Sequence, residues 1–387
     1  MNASDRILNQ ARFGQGSCLE RMAMLIQTHA PNLCPGIKIT GSNGKGSTAA
    51  MSAAILRAHG RRVGLFTSPH LLRVHERIQL DGVAISEEQL QGVLAQIPDG
   101  PYGSFELLTV AAAAWFAAES ADVVVWEAGI GGRLDATRPL PATVTALVHV
   151  SLEHQNLLGN SPTEIALDKA LLAAPGTALV VGPLDSEVLA ALQKQSHLSH
   201  IIPTSPKDTN LAGAHQRENA GCAYEACRRF LGGDFSEKKT GEALLNVSWP
   251  GRFEEVTPNV WVDVAHNLTG VIQVANTAKK RFKDQPIVLV IGVSRDRDAE
   301  RIVKAAAAVA TEVVSTAAQH KGTDPDLIAS YCPGACRTTA NVPEALRYAM
   351  SRARDLQGVV LITGGLFLAA EVIAAIRGEN VATLRWN

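Results

Sequence analysis

Short apolar runs alternate with longer amphipathic segments along most of this chain. Continuous runs such as Asp122–Ala128 and Val144–Val150 are typical of parallel strands that are buried on both faces. Segments with apolar residues three and four apart, such as Ser17–Ala30, predict helices. The predicted strands begin with one at Ile37 and continue at 63–67, 122–128, 144–150, 178–181, 201–202, 260–265, 287–293, 313–315 and 359–363. The predicted helices include 17–30, 105–120, 163–174, 216–230, 237–247, 269–282, 301–310, 342–356 and 366–376.

The stretch Ile37–Thr48 joins a buried strand, a glycine-rich turn and the start of a helix that ends at Gly60. Glycines at 41, 44 and 46 permit positive φ, so backbone N–H groups and the helix N-terminus can surround an anion. Lys45 adds a cation, and the hydroxyl of Ser47 or Thr48 can reach Mg²⁺. We therefore predict a phosphate-binding loop, although Ile39 stands where the strict Walker A spacing has glycine. The alternative is a glycine-rich turn without a ligand.

Strand and helix alternate through both halves, which implies an α/β fold with two open, mostly parallel sheets. Ser248–Gly251 interrupts the alternation, so we place a domain boundary near residue 248. We predict an N-terminal P-loop-type ATPase domain with a parallel sheet over residues 1–248. A smaller C-terminal Rossmann-like α/β domain would follow over residues 249–387. The cleft between the two domains is the expected place for catalysis.

The composition narrows the class of protein. The chain has 387 residues, a formal net charge of -1 and 46% hydrophobic residues. A net charge so close to zero gives no indication of a basic surface that would bind nucleic acid or an anionic membrane. The six cysteines are scattered, so a disulfide framework is not expected, and no run is long enough to span a membrane. We expect a cytoplasmic protein, and a monomer because two domains of one chain already form a cleft.

Polar residues follow several of the buried strands, at the edge of the sheet where α/β ligand sites lie. Glu127 ends one such strand, and a buried carboxylate needs a cation partner, either a metal ion or Arg133. His154 lies just past another strand, where a histidine is more often solvated than functional. Lys169 lies in an apolar helix, and a lysine there usually extends its amine towards water. Residues 73–78 form either a mobile substrate loop or an ordinary charged connection.

Together these motifs resemble the dihydrofolate synthase/folylpolyglutamate synthase family of the Mur ligase superfamily. The matching segments keep their order and spacing over nearly the whole chain: Gly41–Thr48, Thr67–Leu71, Phe105-Glu106, Glu127–Thr137, His154 with Leu158-Gly159, Lys169, Gly213–Gln216 with Asn219-Ala220, Pro250–Glu254 and Asp263–Asn267.

The resemblance implies an ATP-dependent amide ligase. In this family a carboxylate attacks the γ-phosphate of ATP to give an acyl phosphate, and the amino group of glutamate then displaces phosphate. Such chemistry needs positioning and charge neutralisation more than covalent help from the protein. The residues implied to be catalytic are Lys45, His154, Lys169, Arg252 and His266. Those implied to bind the nucleotide are Asn43, Gly44, Lys45, Gly46, Ser47, Thr48, Asn219, Arg252 and Asp263.

By the same resemblance, Ser68, Glu127 and His154 would bind Mg²⁺, and the imidazole would make Mn²⁺ tolerable. Lys169 matches a lysine that is carbamylated in the family, which would turn a cation into a carboxylate beside the metal. The positions implied for the pterin-containing acid are Phe105, Glu106, Leu134, Asp135 and Ala136. Asp135 would hydrogen-bond a pterin ring or merely cap the following turn.

The chain departs from the family pattern mostly on the side of the acid and the amino acid. Glu153 replaces an aspartate, Arg138 an asparagine and Gly365 a serine. The leading hypothesis is dihydrofolate synthase, which joins L-glutamate to dihydropteroate, with extension of folate by further glutamates as a second activity. A related ligase for a different acid and amino acid is the alternative. A degenerate nucleotide-binding regulator and a P-loop kinase are less compatible with the motifs.

Overall fold

The computed structural model describes residues 2–16, 18–198 and 200–386. Its first sheet has eight strands in the order β4-β3-β2-β5-β1-β6-β7-β8. Only the β2–β3 and β3–β4 pairs are antiparallel. The strands are β1 (Gly36–Thr40), β2 (Val63–Phe66), β3 (Ile78–Leu80), β4 (Val83–Ala84), β5 (Val123–Glu127), β6 (Ala142–Leu147), β7 (Ala178–Val181) and β8 (His200–Pro203).

Helices cover both faces of this sheet. They are α1 (Ala3–Leu8), α2 (Cys18–His29), α3 (Lys45–Ala58), α4 (Glu87–Ala95), α5 (Ser104–Ala118), α6 (Gln155–Leu158), α7 (Pro162–Ala170), α8 (Ser186–Gln193), α9 (Ala214–Leu231) and α10 (Glu237–Leu244). On β1, Ile37 and Ile39 pack in the core that contains α3 and α9. Trp126 of β5 packs on the opposite face in the core that contains α2 and α5. The central strands are therefore buried on both faces, as their apolar runs predict.

The second sheet has six strands in the order β13-β12-β11-β14-β10-β9, and only β9–β10 is antiparallel. Its strands are β9 (Glu254–Thr257), β10 (Val260–Val262), β11 (Ile287–Ile291), β12 (Glu312–Ser315), β13 (Cys336–Thr338) and β14 (Val359–Thr363). Its helices are α11 (Leu268–Phe282), α12 (Ala299–Ala307), α13 (Pro325–Ser330), α14 (Val342–Asp355) and α15 (Leu366–Arg377). The prediction of an α/β fold with two mostly parallel sheets is confirmed.

Two features of the fold differ from the expectation. In the segment 73–78, Val74–Arg77 form a 3₁₀ turn whose Arg77 is buried, which the sequence did not predict. Leu71 and Leu72, just before that turn, pack in the core of the second sheet beside Val260 and Val262. In the part of the chain that the structure describes, no helix is long and apolar enough to cross a membrane.

Candidate active site

The glycine-rich turn between β1 and α3 forms a concave end to the first sheet. Gly44 has φ 84° and precedes α3, and a Cβ there would lie 2.2 Å from Asn219 Oδ1, so only glycine fits. Gly46 lies inside α3 without a positive φ, contrary to the expectation. A Cβ on Gly46 would lie 3.2 Å from Trp249 Nε1 and 3.5 Å from Glu127 Oε2, so this position requires a small residue for space. The backbone N–H groups of this turn and of the N-terminus of α3 are the groups that can bind an anion.

Lys45 is the first residue of α3 and folds back over the turn. Its Nζ donates to the carbonyl oxygens of Gly41 at 2.9 Å and Ser42 at 3.5 Å. These weak acceptors can be exchanged for phosphate oxygens, which carry full charge. The hydroxyl of Thr48, one turn into the helix, is buried without a hydrogen-bond partner. The turn thus combines the N-terminus of a helix with a lysine, the arrangement on which the predicted phosphate-binding loop depends.

Glu127 ends β5 beside this turn and is only 3% exposed. Its Oε2 accepts a hydrogen bond from the backbone N–H of Ser68 at 2.9 Å. Burial raises the pKa of Glu127 to about 7, although Lys45, the Ser68 N–H, Arg252 and Arg77 act against the shift. The alternative that paired Glu127 with Arg133 is wrong, because Arg133 Nε instead lies 3.2 Å from Asp168 Oδ2.

Glu153 and Lys169 form a buried ion pair on the other side of the turn. Lys169 is 1% exposed, and its Nζ donates to Glu153 Oε1 at 2.7 Å and to Gly41 O at 3.2 Å. Burial would raise the pKa of Glu153, but Lys45 and Lys169 lower it to about 2. Burial lowers the pKa of Lys169, with Glu153 opposing. Lys169 does not extend to solvent, because its amine is buried among site residues, so that alternative is wrong.

His154 follows Glu153 and precedes α6 with a left-handed φ of 42°. Burial lowers its pKa, while Glu153 raises it and Arg297, Lys45 and Lys169 lower it further. The imidazole is therefore held neutral, which is the form that binds a metal ion. The electrostatic influence of Lys45 on Glu127, Glu153 and His154 alike indicates that it lies among them.

The second domain contributes Arg252, which lies between two carboxylates. Arg252 interacts electrostatically with Asp263 and with Glu127 of the first domain. Asp263 is buried and accepts the backbone N–H groups of Phe253 at 2.9 Å and Ala265 at 2.8 Å. Burial raises its pKa to about 6, with Arg252 opposing. Because Phe253 has a positive φ of 47°, this carboxylate helps to hold the strained turn that aims Arg252 at the cleft.

Two further contacts link the domains at the cleft. Asn267 Nδ2 donates to Asn43 Oδ1 of the glycine-rich turn at 2.8 Å, and Asn267 Oδ1 caps α11. Burial lowers the pKa of His266 to about 4, and Arg297, Lys45 and Arg252 lower it as well. His266 therefore faces the site from the second domain as a neutral imidazole. Asn219, on α9, donates to Gln216 Oε1 at 2.9 Å beside Gly44.

The residues present fit the divalent metal that the resemblance implies. Glu127 offers a buried carboxylate that accepts a hydrogen bond from Ser68 N–H, and a bound cation would favour its ionised form. Among the described residues no three His, Cys, Asp or Glu side chains are grouped as a metal site. Mg²⁺ commonly uses one or two carboxylates and takes its other ligands from water and phosphate.

The predicted acid-binding residues divide into two kinds. Asp135 caps its own loop, as the second alternative stated: it accepts the N–H groups of Gly129, Ile130 and Thr137 and the Thr137 hydroxyl. Glu106 forms a two-pronged ion pair with Arg21 at 2.8 Å, and Ala136 is buried in the core. The carboxylates and Ala136 therefore shape the loop from within. Leu134 is 60% exposed, and Phe105 is half-buried against Gly129, so these two can meet a ligand.

Several site residues were not singled out from the sequence. Lys38, at the middle of β1, is 2% exposed and donates to Arg138 O at 2.6 Å. The sequence signal for Lys38 was its position between two isoleucines in a predicted buried strand. Arg297 carried no local signal, because it lies in a loop that only the tertiary fold brings near the site, and Arg77 was noted only as part of the charged segment 73–78. Glu153 was noted only as a departure from the family.

Comparison with known proteins places these features in a family. Residues 251–366 match the family described as Mur ligase, glutamate ligase domain. The dihydrofolate synthase/folylpolyglutamate synthase of Bacillus subtilis is 30% identical over 351 residues, which cover 78% of this chain and 81% of that protein. A probable bifunctional folylpolyglutamate synthase/dihydropteroate synthase of Haloferax volcanii is 33% identical over 381 residues, covering 87% of this chain. This chain spans 45% of that longer protein.

Solved structures agree over almost the whole chain. E. coli FolC in complex with DHPP and ADP has a TM-score of 0.87 at 25% identity, covering 98% of each chain. A bifunctional folylpolyglutamate synthase/dihydrofolate synthase with Mn, AMPPNP and L-glutamate bound has a TM-score of 0.85 at 25% identity, covering 97% of this chain and 98% of that one. With 30% identity over four-fifths of the Bacillus protein, this chain belongs to the dihydrofolate synthase/folylpolyglutamate synthase family.

Proposed function

We propose that this chain is an ATP-dependent, ADP-forming ligase that joins L-glutamate to dihydropteroate through an acyl phosphate. Extension of folate by further glutamates is the second activity proposed. The observation that carries the proposal is the convergence on Glu127 of three cations from separate elements: Lys45, Arg77 and, from the second domain, Arg252. Such a cluster suits a phosphoryl group in transfer, whose charge is spread over several oxygens.

The proposed roles combine the geometry of the turn with the family resemblance. The N-terminus of α3 and Lys45 hold the β- and γ-phosphates, with the Ser47 and Thr48 hydroxyls beside them. Arg252 neutralises charge on the transferred group from the opposite wall of the cleft. His266 lies beside the acyl phosphate or the incoming amine. Asn219 contacts the adenine and Asp263 the ribose.

Ser68, Glu127 and His154 would hold Mg²⁺, or Mn²⁺ in its place. The ion would supply charge neutralisation at the phosphates. The relatives with ADP, AMPPNP and Mn bound support a nucleotide and a divalent metal at this site. Carbamylation of Lys169 is part of the proposal, because CO₂ reacts with the neutral amine and burial lowers the Lys169 pKa.

The test is ADP release from the purified protein with ATP, Mg²⁺ and L-glutamate. Dihydropteroate, tetrahydrofolate and no acceptor are compared. Release that needs dihydropteroate and glutamate together, and that disappears in Lys45→Ala, is the expected result. Lys304→Ala, which removes an exposed lysine paired with Glu300, is the matched control and should leave release unchanged. Release without any acceptor, or nucleotide binding without release, would contradict the proposal.

A ligase for a different acid is the second candidate. The observation that favours it is that Asp135 and Glu106 already have protein partners for their carboxylates. Two polar groups expected at the pterin are thus engaged before any ligand binds. Release of ADP with glutamate and another carboxylic acid, but with neither pterin, would establish this candidate.

A further inference from the structure

The loop that carries Ser68 runs from the first sheet into the core of the second domain. Ser68 follows β2, and Leu71 and Leu72 are buried beside Val260 and Val262 of β10. The Glu76 carboxylate accepts the N–H groups of Leu71, Leu72 and Arg73 at 2.8 to 3.0 Å. The loop closes where Thr67 N–H donates to Arg77 O at 3.0 Å. We call residues 68–77 the bridging loop.

Residues 379–386, which we call the C-terminal strap, return from α15 to the first domain. Glu379 pairs with Arg73 of the bridging loop at 3.0 Å. The Arg385 side chain pairs with Asp5 and donates to Asn9 Oδ1 at 2.9 Å, so it holds the end of α1. The strap stays attached to the second domain through Trp386. Its ring centroid lies 4.8 Å from that of Phe367 and 5.4 Å from that of His320.

His70 joins the strap to the bridging loop. It is 2% exposed, and its ring stacks on Trp386 with centroids 6.3 Å apart and 12° between the planes. Arg77 Nε lies 2.8 Å from His70 Nδ1, and His70 Nε2 lies 2.8 Å from Arg385 O. Since the arginine can only donate, Nδ1 accepts and the proton is on Nε2, which donates to the strap. Burial and the charge of Arg77 together lower the pKa of His70 to about 3, so this one tautomer persists at neutral pH.

The contacts continue from His70 to the site. Arg77 is buried, and its charge acts on Glu127. The same loop presents the Ser68 N–H to Glu127 Oε2. The Ser68 N–H that bonds to Glu127 Oε2 therefore depends on the position of the bridging loop, and so does the buried Arg77. That position is held from one side by the second domain's core and from the other by the strap.

We propose that His70 and Trp386 are positioning residues for Glu127. The strap fixes the bridging loop through the Trp386 stack and the Arg385 carbonyl. His70 passes this constraint to Arg77, which faces the carboxylate. Neither residue is among those proposed to contact ATP, the acid or glutamate. The effect on turnover rests on the proposed function, whereas the constraint on the loop does not.

The test compares Trp386→Ala, Trp386→Phe and Thr383→Ala. Thr383 is the matched control, because its hydroxyl only bonds to Asn380 O within the strap. Hydrogen exchange by mass spectrometry follows the peptide that contains Leu71, Leu72 and Arg73. We expect exchange about tenfold faster in Trp386→Ala, with protection restored in Trp386→Phe and unchanged in Thr383→Ala. Unchanged exchange in Trp386→Ala would overturn the proposal.

The second measurement is ADP formation at increasing Mg²⁺. In Trp386→Ala we expect kcat about fivefold lower and a higher Mg²⁺ concentration for half-maximal rate, with the affinity for ADP alone kept within about twofold. A uniform loss of ADP affinity and rate, without the Mg²⁺ shift, would indicate general destabilisation and overturn the positioning role. His70→Gln, whose amide can accept from Arg77 and donate to the strap, should keep the Mg²⁺ dependence of the parent. If exchange is faster in Trp386→Ala but neither the parent nor any variant ligates, the proposed function is contradicted. The constraint that the strap places on the bridging loop is still supported.

Discussion

Lys169 Nζ donates to Glu153 Oε1 at 2.7 Å, where both side chains are shielded from solvent. The pair lies beside His154 and the carbonyl of Gly41, in the position where the family resemblance implies a carbamate. An ammonium and a carbamate are opposite charges, so Glu153 stabilises the first and repels the second unless a cation intervenes. The state of Lys169 therefore decides the charge of this side of the site.

Lys169→Ala tests that state by chemical rescue. We expect kcat to fall about 100-fold, because a charged group next to the phosphates is lost. If Lys169 acts as a carbamate, acetate or propionate should restore part of the rate. If it acts as an ammonium, methylamine should restore it instead. The measurement is the initial rate of ADP formation at increasing concentrations of each additive.

The parent protein and Lys304→Ala serve as controls, and neither additive should raise their rates. Rescue by amine alone would refute the proposed carbamylation. Incorporation of ¹³C-labelled CO₂, seen as a carbamate signal by NMR in the parent and absent in Lys169→Ala, gives an independent check.

The raised pKa of Glu127 predicts that the stabilisation of the protein by a bound metal ion depends on pH. Its pKa is raised from 4.5 to about 7 by burial, so between these values the folded state holds a proton that the unfolded state has released. This residue's contribution to stability therefore falls as pH rises through the window, and above about pH 7 the ionised carboxylate is available to a cation. With ADP present, we expect Mg²⁺ to raise Tm more at pH 8 than at pH 6.

Differential scanning fluorimetry at the two pH values measures this response. Glu127→Gln has the same shape but cannot ionise, so its Mg²⁺-induced rise in Tm should be small and equal at both. An equal rise at both pH values in the parent protein would show that Glu127 does not bind the ion.

Arg252 should affect the rate more than nucleotide binding. It faces Glu127 across the cleft, where added charge matters most as the phosphoryl group is transferred. We expect Arg252→Ala to lower kcat about 100-fold and Arg252→Lys less, while Kd for ADP changes by about threefold or less. Single-turnover kinetics and calorimetry separate the two quantities. Arg377→Ala, an exposed arginine of the same domain, is the control; a large loss of ADP affinity in Arg252→Ala would instead assign it to binding.

Lys38 should make stability depend on alkaline pH. Burial lowers its pKa from 10.5 to about 8, with Asp135 opposing, so between these values the unfolded chain binds a proton that the folded chain has lost. Stability contributed by Lys38 therefore rises with pH across this window. Relative to Lys38→Met, the parent protein should gain about 2 kcal/mol between pH 8 and pH 10 in urea unfolding. Parallel pH dependences of the two proteins would show that the Lys38 ammonium is not destabilised by burial.

The sequence predicts the elements whose signal is local. The strands around β1 and β5 are apolar on both faces, and β7 and β14 were placed at their observed ends. The edge strands β4, β9 and β13 and the strand β3 next to β4 were not predicted, because each is short, and β9 carries two glutamates. Such strands form because a neighbouring strand has an unpaired edge. The residues of the short strand itself do not show that this edge is available.

In the site as well, residues with a local sequence signal could be predicted and the others could not. The glycine-rich turn is a contiguous motif, so Gly44 and Lys45 could be placed correctly. Glu106 shows the limit, because its partner Arg21 lies 85 residues away and nothing in either segment indicates the pairing. Likewise, the family resemblance marks Asp135 as a site residue, but only the folded loop shows that its carboxylate is occupied by backbone N–H groups.

A break in the chain at the proposed boundary near residue 248 would not separate the two cores. Leu71 and Leu72 belong to the first half by sequence, yet they fill the interior of the second sheet. Residues 249–387 produced alone would lose both leucines, and each buried leucine removed costs about 2–5 kcal/mol. Recombination between relatives, natural or engineered, should therefore succeed only when residues 68–77 travel with the C-terminal half. The C-terminal folding unit is therefore discontinuous in the sequence: it consists of residues 68–77 together with the C-terminal half.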